Sequence, residues 1–290
     1  MAGEDGQTLV DYDAYAEMVV GQLQWARDRE NLQFHLFSPF NETDLGFPEG
    51  PRLEAEGCVP AIRAVLRKMD ESRLGDVQLL VMDDANPKMS YWEAILQEPE
   101  LAPRIAAFGT HCYGNGGDED GGNWFMEQSG YGKLVDRIRE SPFRASRYWL
   151  TEYGDLDQTG EVEYGVAWRS TRRLLKRLND GMSAGIAWDA FDNFHEHDGA
   201  WATYGLLQTD RDQWTYTPKR RYYAAKQVYR YVKPGFHRVQ ISVLEKDRSD
   251  VYATWHAPLK HLLLSAFVSP DGSDFTIVGM STIESDTILH

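Results

Sequence analysis

Two glutamates each follow a short apolar run that is typical of a buried strand. Glu42 comes after the run Phe34-His-Leu-Phe-Ser-Pro-Phe40 and an asparagine, and Glu152 lies between the run Tyr148-Trp-Leu-Thr151 and a tyrosine. Hydrolysis of a glycosidic bond with retention of configuration needs two carboxyl groups about 5 Å apart, one as acid and base and the other as nucleophile. A single glutamate at such a place is more commonly an ion-pair or helix-start residue. A pair of them at two strand ends favours catalysis.

Five apolar runs, each followed by an amphipathic helical pattern, are the elements that would position these residues. The runs lie at 34–40, 77–82, 106–111, 148–151 and 185–188, and the helical patterns lie near 59–69, 92–101, 132–139, 166–178 and 222–232. A further helical pattern covers the first 30 residues. Successive strand–helix units predict parallel strands joined by right-handed crossovers.

Both a doubly wound sheet and a (β/α)₈ TIM barrel fit this pattern. No GxGxxG or GxxxxGK[ST] motif follows the first run, which removes the usual nucleotide-binding forms of the doubly wound sheet. Each run ends in polar or aromatic residues, and a barrel places its active site at that end of its strands. We therefore predict an α/β fold in which residues 1–234 are the C-terminal five βα units of a barrel, from its third to its eighth helix.

The pattern changes after Lys233-Pro-Gly235, which is a typical helix stop. Apolar and polar residues alternate near 239–243, 252–254, 262–267 and 275–278, with a Pro-Asp-Gly turn at 270–272. Alternation predicts antiparallel strands, so residues 235–290 are interpreted as an incomplete β domain, the start of a β-sandwich. With five of eight barrel units visible, we expect the chain to be a piece of a longer protein.

Composition and charge limit the partners of the chain. Its 290 residues are 42% hydrophobic and carry 45 acidic against 30 basic side chains, a net charge of −15. That charge disfavours nucleic acid and anionic membranes, and no apolar run is long enough to span a bilayer. The two cysteines are too few for a disulfide framework. No signal peptide is visible at the start; a secreted or periplasmic location is favoured only by the class of function below.

At this point the sequence resembles a family. Ser38-Pro-Phe-Asn-Glu42 resembles the strand-4 motif Ser-Pro-x-Asn-Glu-Pro of clan A glycoside hydrolases, with threonine in place of the final proline. Trp149-Leu-Thr-Glu-Tyr-Gly154 resembles their strand-7 motif, and the segment 222–238 resembles the helix-8 exit of glycoside hydrolase family 30, which leads into a side β-sandwich. The resemblance implies that Glu42 is the acid/base, Glu152 the nucleophile, and Asn41 the partner of the sugar 2-hydroxyl.

The same resemblance implies further substrate-binding residues. His111 and Tyr113 resemble a strand-6 His-x-Tyr motif in which the tyrosine orients the nucleophile, and Trp188 resembles the aromatic platform beneath the sugar. Packing in the core is the alternative for all three. We also expect Asp84 and Trp124 to contact sugar, although a turn explains Asp84 equally well.

No metal site and no cofactor are predicted. The acidic loop 114–124 lacks the spacing of a calcium loop, and His195-Glu-His-Asp198 has no third ligand at a fixed spacing. The predicted function is a retaining O-glycoside hydrolase that cleaves a β-linked poly- or oligosaccharide by double displacement. The alternatives are a non-catalytic carbohydrate-binding relative of the same fold and a doubly wound ligand-binding protein in which the glutamates are structural.

Overall fold

The computed structural model describes residues 3–46, 49–86, 88–113, 130–155, 163–192, 196–197, 200–201, 203–210, 212–241 and 262–281. These residues group into two compact units. Unit 1 contains the described parts of Met1–Cys112 and Gly130–Thr151; unit 2 contains Tyr113 and the described residues from Glu152 onward. The division into a barrel and a β domain at 234/235 stays a prediction.

A sheet of five parallel strands alternates with helices along the chain. Its order is β1 (Leu36–Phe37), β2 (Gln78–Asp84), β3 (Ile105–Cys112), β4 (Arg147–Tyr153) and β5 (Ala184–Ala187). The helices are α1 (Tyr12–Glu30), α2 (Ala55–Glu71), α3 (Met89–Leu96), α4 (Gly130–Arg139), α5 (Glu163–Asp180) and α6 (Arg220–Tyr229). The prediction of part of a (β/α)₈ barrel is confirmed.

Two strands of this sheet, β2 and β3, are buried along consecutive positions rather than alternate ones. Leu79–Met82 of β2 are all buried, and in β3 only Ala106 is partly accessible. Such continuous burial is typical of a parallel sheet that is covered on both faces. β1 is shorter than the predicted run 34–40, because Pro39 has no N–H to give to a neighbouring strand and fixes its own φ angle.

The helices begin and end where their capping residues and apolar faces require. The Asp11 side chain accepts a 3.0 Å hydrogen bond from the Ala14 N–H and starts α1, and Asn31 ends it with a left-handed φ of 52°. In α2 the predicted apolar face is fully buried at Ile62, Val65 and Met69. No helix among the described residues is long and apolar enough to cross a membrane.

Four aromatic rings form the centre of the core of unit 1. The Trp92 ring lies 4.9 Å from Phe108 and 4.8 Å from Tyr148, and Phe108 lies 5.7 Å from Phe143. These rings come from α3, β3, β4 and the turn before β4. The cluster therefore fixes α3 against the strands whose ends carry polar residues.

One predicted helix and one predicted loop differ from the structure. The helix expected at 92–101 is α3, which ends at Leu96, followed by a short 3₁₀ helix at Pro99–Arg104. Pro99 disfavours α-helical angles at the residue before it, so α3 ends early. The segment after β5, predicted as a polar loop, contains the short pair β6 (Glu196–His197) and β7 (Ala200–Trp201) and the hairpin β8 (Leu207–Asp210) and β9 (Thr215–Pro218).

Three antiparallel strands follow α6. They are β10 (His237–Val239), β11 (Leu262–Val268) and β12 (Phe275–Ser281), in that order in one sheet. The predicted turn at 270–272 is confirmed: the Gly272 N–H donates to the Ser269 carbonyl at 2.9 Å, and Gly272 has a φ of +74°. The strand predicted near 252–254 lies outside the described residues.

Candidate active site

Glu42 lies just beyond β1 in an unusual backbone conformation. Its φ angle is +47°, and its N–H donates a 2.9 Å hydrogen bond to the carbonyl oxygen of Asp83 at the end of β2. The residue is 9% exposed. A bulky residue adopts positive φ only where its surroundings compensate for the strain. The end of β2 thus determines where the Glu42 carboxyl points.

His111, near the end of β3, lies between two carboxylates. Its Nδ1 is 2.7 Å from Oε1 of Glu42, and its Nε2 is 3.4 Å from Oδ1 of Asp83. The imidazole is completely buried. An acid thus faces each of the two ring nitrogens of one buried imidazole. His111 therefore contacts the predicted acid/base directly.

Asp83 is a site residue that the sequence analysis missed. Besides facing His111, its carboxylate accepts a 3.2 Å hydrogen bond from the Ser38 hydroxyl. Its φ angle is +58°, and the register of β2 against β3 shifts between Met82 and Asp84. Side chains alternate between the faces of a regular strand, but this irregularity changes which of the two adjacent aspartates faces the site. The two adjacent aspartates at the end of a predicted strand were the feature of the sequence that could have identified Asp83.

Asp84, the neighbour predicted to contact sugar, is completely buried in the core. Its Oδ2 accepts a 3.3 Å hydrogen bond from the Trp92 indole N–H. Burial, together with the nearby Asp44 carboxylate, raises the pKa of Asp84 to about 8. This placement favours a structural role for Asp84 over contact with a substrate.

Asp44 ties the loop after β1 to the end of β2. Its two carboxylate oxygens accept hydrogen bonds from the backbone N–H groups of Ala85 at 2.9 Å and Asn86 at 3.1 Å. The Lys88 ammonium donates to its carbonyl oxygen at 3.2 Å. Asn41, the residue predicted to bind the sugar 2-hydroxyl, has an exposed side chain. The loop that carries Glu42 is therefore bonded to the end of β2 at Asp44 and exposed to solvent at Asn41.

Glu152 lies in β4 and is held by Tyr113. The Tyr113 hydroxyl donates a hydrogen bond to Oε2 of Glu152, as the resemblance implied for a residue that orients the nucleophile. Glu152 is half-buried, and Tyr113 packs close to the following Gly154. A side chain on Gly154 would lie 2.8 Å from the Trp188 carbonyl oxygen and 3.2 Å from the Tyr113 ring. Glycine is thus required for this close approach.

Trp188 follows β5 directly and is 44% exposed. Its N–H donates a 2.9 Å hydrogen bond to the carbonyl oxygen of Tyr153, the residue after Glu152. An indole ring that is open to solvent can support an apolar sugar face. The predicted sugar-contacting residue Trp124 lies outside the described residues.

An ion-pair network from α5 supports the end of β4. One Arg173 nitrogen donates to the Gly154 carbonyl at 2.5 Å and to Asp155 Oδ2 at 3.0 Å, and the Arg169 guanidinium makes two bonds to Asp155 at 2.6 and 3.0 Å. Arg173 and Asp155 are both buried. The two cations compensate the buried Asp155 carboxylate, which would be costly in this site without a partner.

The two glutamates thus have partners that are two residues apart in sequence. Within unit 1, Glu42 contacts His111; within unit 2, Glu152 contacts Tyr113. One carboxyl beside an imidazole is suited to proton transfer, and one oriented by a phenol hydroxyl is suited to nucleophilic attack. Both glutamates lie at or beyond the carboxyl ends of parallel strands, where barrel enzymes place their catalytic residues.

The fold of this chain is similar to the TIM-barrel fold of clan A glycoside hydrolases, and in particular to that of family 30 structures. The structure of SrfJ from Salmonella typhimurium is similar, with a TM-score of 0.68 and 14% sequence identity. A GH30 endoxylanase from Clostridium papyrosolvens C71 has a TM-score of 0.64 and 15% identity, and a family 30 subfamily 8 xylanase from Clostridium acetobutylicum has 0.60 and 15%.

These similarities extend over most of this chain. The matches cover 91%, 97% and 93% of it, but only 55%, 60% and 57% of the three structures in the same order. The chain therefore spans little more than half the length of the proteins it resembles. No protein-family model matches the sequence, and no curated protein sequence matches it. At 14–15% sequence identity, the similarity to these structures establishes the fold alone.

Proposed function

We propose that this chain is the part of a retaining O-glycoside hydrolase that carries both catalytic glutamates. The observation that supports the proposal is the arrangement around His111-x-Tyr113, in which the histidine contacts Glu42 and the tyrosine contacts Glu152. A retaining mechanism requires one carboxyl suited to proton transfer and one suited to nucleophilic attack, and these two local contacts supply both environments.

The proposed reaction has two steps. In the first, a Glu152 oxygen attacks the anomeric carbon while the protonated Glu42 carboxyl gives its proton to the leaving glycosidic oxygen. In the second, the ionised Glu42 carboxylate takes a proton from water, and the resulting hydroxide attacks the same carbon and releases Glu152. His111 holds Oε1 of Glu42, so the proton is exchanged at the other carboxyl oxygen.

The proposed substrate is a β-linked poly- or oligosaccharide. Two of the similar structures are described as xylanases, so xylan fragments are the first substrates to test. Asn41 and Trp188 are proposed to contact the sugar at the reacting centre, the first through its 2-hydroxyl and the second through an apolar ring face. The net charge of −15 disfavours a polyanionic glycan.

Covalent labelling tests this proposal. The chain is incubated with 2-fluoroglycoside inactivators of several sugars and the peptides are analysed by mass spectrometry. We expect a glycosyl ester on the peptide that contains Glu152, and none after Glu152→Gln. The matched control Glu140→Gln alters an exposed glutamate at the end of α4 and should keep the label. A folded protein that no inactivator labels, yet that binds glycans, would instead be a carbohydrate-binding relative.

Azide rescue separates the two roles. In Glu152→Ala, azide should restore turnover by occupying the place of the nucleophile, giving a glycosyl azide of inverted configuration. In Glu42→Ala, azide should accelerate the second step and give a product of retained configuration, with activated aryl glycosides as substrates. Exchange of these two outcomes between the variants would reverse the assignment of the roles.

A further inference from the structure

The hairpin β8–β9 ends in two strongly exposed aromatic side chains. Trp214, the last residue of the turn, is 90% exposed, and Tyr216 in β9 is 67% exposed. They are two residues apart, so about 7 Å of extended chain separates their backbones. Large aromatic side chains usually bury most of their surface, and exposed ones are informative about binding.

The turn that carries these rings is held by the hairpin itself. The Asp210 carboxylate accepts hydrogen bonds from the N–H groups of Asp212 at 3.0 Å and Gln213 at 2.9 Å. Trp214 has a left-handed φ of 53°, which completes the turn before β9 starts. A turn that is organised before a ligand arrives loses less conformational entropy on binding.

The root of the hairpin is bonded to the segment that follows Trp188. Leu206 and Leu207 donate N–H groups to the carbonyls of Asp189 at 2.9 Å and Ala190 at 3.1 Å. The Thr209 hydroxyl donates to the Asp192 carbonyl at 3.0 Å. The hairpin is therefore continuous with the strand end that carries Trp188, which in turn bonds the residue next to Glu152.

Tyr216 lies on the hairpin face that turns toward this segment. It pairs directly with Thr209 across the hairpin, and directly opposed residues share a face of an antiparallel pair. Since the Thr209 side chain bonds to Asp192, Tyr216 extends the same face outward from the root. The opposite face carries Gln208, Thr215 and Thr217, all exposed and polar.

We propose, on the basis of the glycosidase function proposed above, that Trp214 and Tyr216 form a distal platform for the same glycan chain, at sugar units remote from the reacting bond. Ring faces of β-linked sugars stack on indole and phenol rings, and the polar groups beside them can bond hydroxyls.

The size and the charge of this surface disfavour other kinds of ligand. Two rings supply about 300–500 Å² of surface, whereas a stable protein interface buries about 1,200–2,000 Å². The turn carries two aspartates and one arginine, which does not attract anionic lipid or nucleic acid.

The dependence of binding affinity on the length of the oligosaccharide tests the proposed platform. The full chain with Glu152→Gln, which cannot consume substrate, is titrated with xylobiose and xylohexaose and with the corresponding gluco- and manno-oligosaccharides. We expect Trp214→Ala to weaken hexasaccharide binding about tenfold and disaccharide binding less than twofold. Tyr216→Ala should have a smaller effect of the same kind. The matched control Trp25→Ala removes an exposed tryptophan of α1 and should change neither affinity.

Other results would overturn the platform and are distinguishable from failure of the proposed function. Equal hexasaccharide affinity in Trp214→Ala and Trp25→Ala would refute it while the label on Glu152 stands. No hexasaccharide binding by the parent would refute it too, and the labelling experiment then decides the catalytic function independently. A dimer in sedimentation velocity that Trp214→Ala dissociates would assign the rings to contact between copies. Unchanged melting of the variants excludes misfolding as the cause.

Discussion

The backbone N–H of Glu42 donates a 2.9 Å hydrogen bond to the carbonyl oxygen of Asp83, and both residues have positive φ angles, +47° and +58°. Each such conformation costs on the order of 1–3 kcal/mol outside glycine and is maintained by surrounding contacts. Here those contacts include His111, which faces the carboxylates of both residues. The ends of β1 and β2 are thus joined in a conformation that aims two acids at one imidazole.

Removal of the Asp83 charge should impair proton transfer at Glu42. In Asp83→Asn we expect kcat to fall about tenfold with KM within about twofold, because His111 loses one of the two carboxylates that position it beside Glu42. Asp76→Asn, on the surface before β2, is the control and should leave kcat and KM unchanged. A rise in KM together with the fall in kcat would point to substrate contact instead.

Loss of the Tyr113 hydroxyl should affect the nucleophile. Tyr113→Phe keeps the ring but removes the hydrogen bond to Glu152, so we expect kcat to fall about 10- to 100-fold with an unchanged melting temperature. Presteady-state kinetics should show slower formation of the glycosyl ester. Tyr223→Phe removes an exposed hydroxyl of α6 and serves as the matched control. Wild-type kinetics in Tyr113→Phe would contradict the orienting role.

Gly154 should tolerate no side chain. Gly154→Ala places a methyl group 2.8 Å from the Trp188 carbonyl and 3.2 Å from the Tyr113 ring, so the chain two residues after Glu152 or these neighbours must move. Turnover should fall more than tenfold, and circular dichroism should report an intact fold. Gly21→Ala in α1 meets no atom within 4 Å and should raise the free energy of unfolding by about 0.5–1 kcal/mol. Equal behaviour of the two variants would refute the steric argument.

The buried acid Asp84 should make stability depend on pH. Because burial holds its pKa at about 8 against an ordinary 3.8, the folded chain binds more protons than the unfolded chain between these values. Stability contributed by this group therefore falls as pH rises from about 4 to about 8. Asp84→Asn cannot ionise and should match the wild type near pH 4 but exceed it by a few kcal/mol at pH 8.

Thermal melts of both proteins across this range measure the difference. A constant difference in melting temperature between pH 4 and pH 8 would show that Asp84 does not titrate there. Asp76→Asn supplies the control, since its carboxylate is exposed and pairs with Arg27 at the surface.

The network behind β4 should contribute to stability as well as position. Arg173→Ala removes one of two guanidinium groups from the buried Asp155 and the only one bonded to the Gly154 carbonyl among the described contacts. We expect a loss of about 3 kcal/mol in the free energy of unfolding. Arg63→Ala breaks exposed ion pairs to Glu98 and Glu100 and should change little. Urea unfolding at neutral pH compares the two variants.

The sequence by itself determined the fold class and the two glutamates. Apolar runs alternating with amphipathic helices are local patterns, so they predict parallel strands without knowledge of distant contacts. The motifs around Glu42 and Glu152 are equally local, because a strand end and its chemistry occupy a few adjacent residues. His111 and Tyr113 were expected from resemblance to a strand-6 His-x-Tyr motif, which is also local in the sequence.

Only the tertiary structure decided that His111 contacts Glu42 and which aspartate faces His111. Whether Asp83 or Asp84 faces His111 depends on a register shift between β2 and β3, and register is set by pairing between strands distant in sequence. The hairpin that presents Trp214 could not be predicted from the sequence for a related reason. Its strands are four residues each and polar on one face, so their pattern alone is that of a loop. Pairing across the hairpin and its bonds to the Asp189–Asp192 segment give it structure.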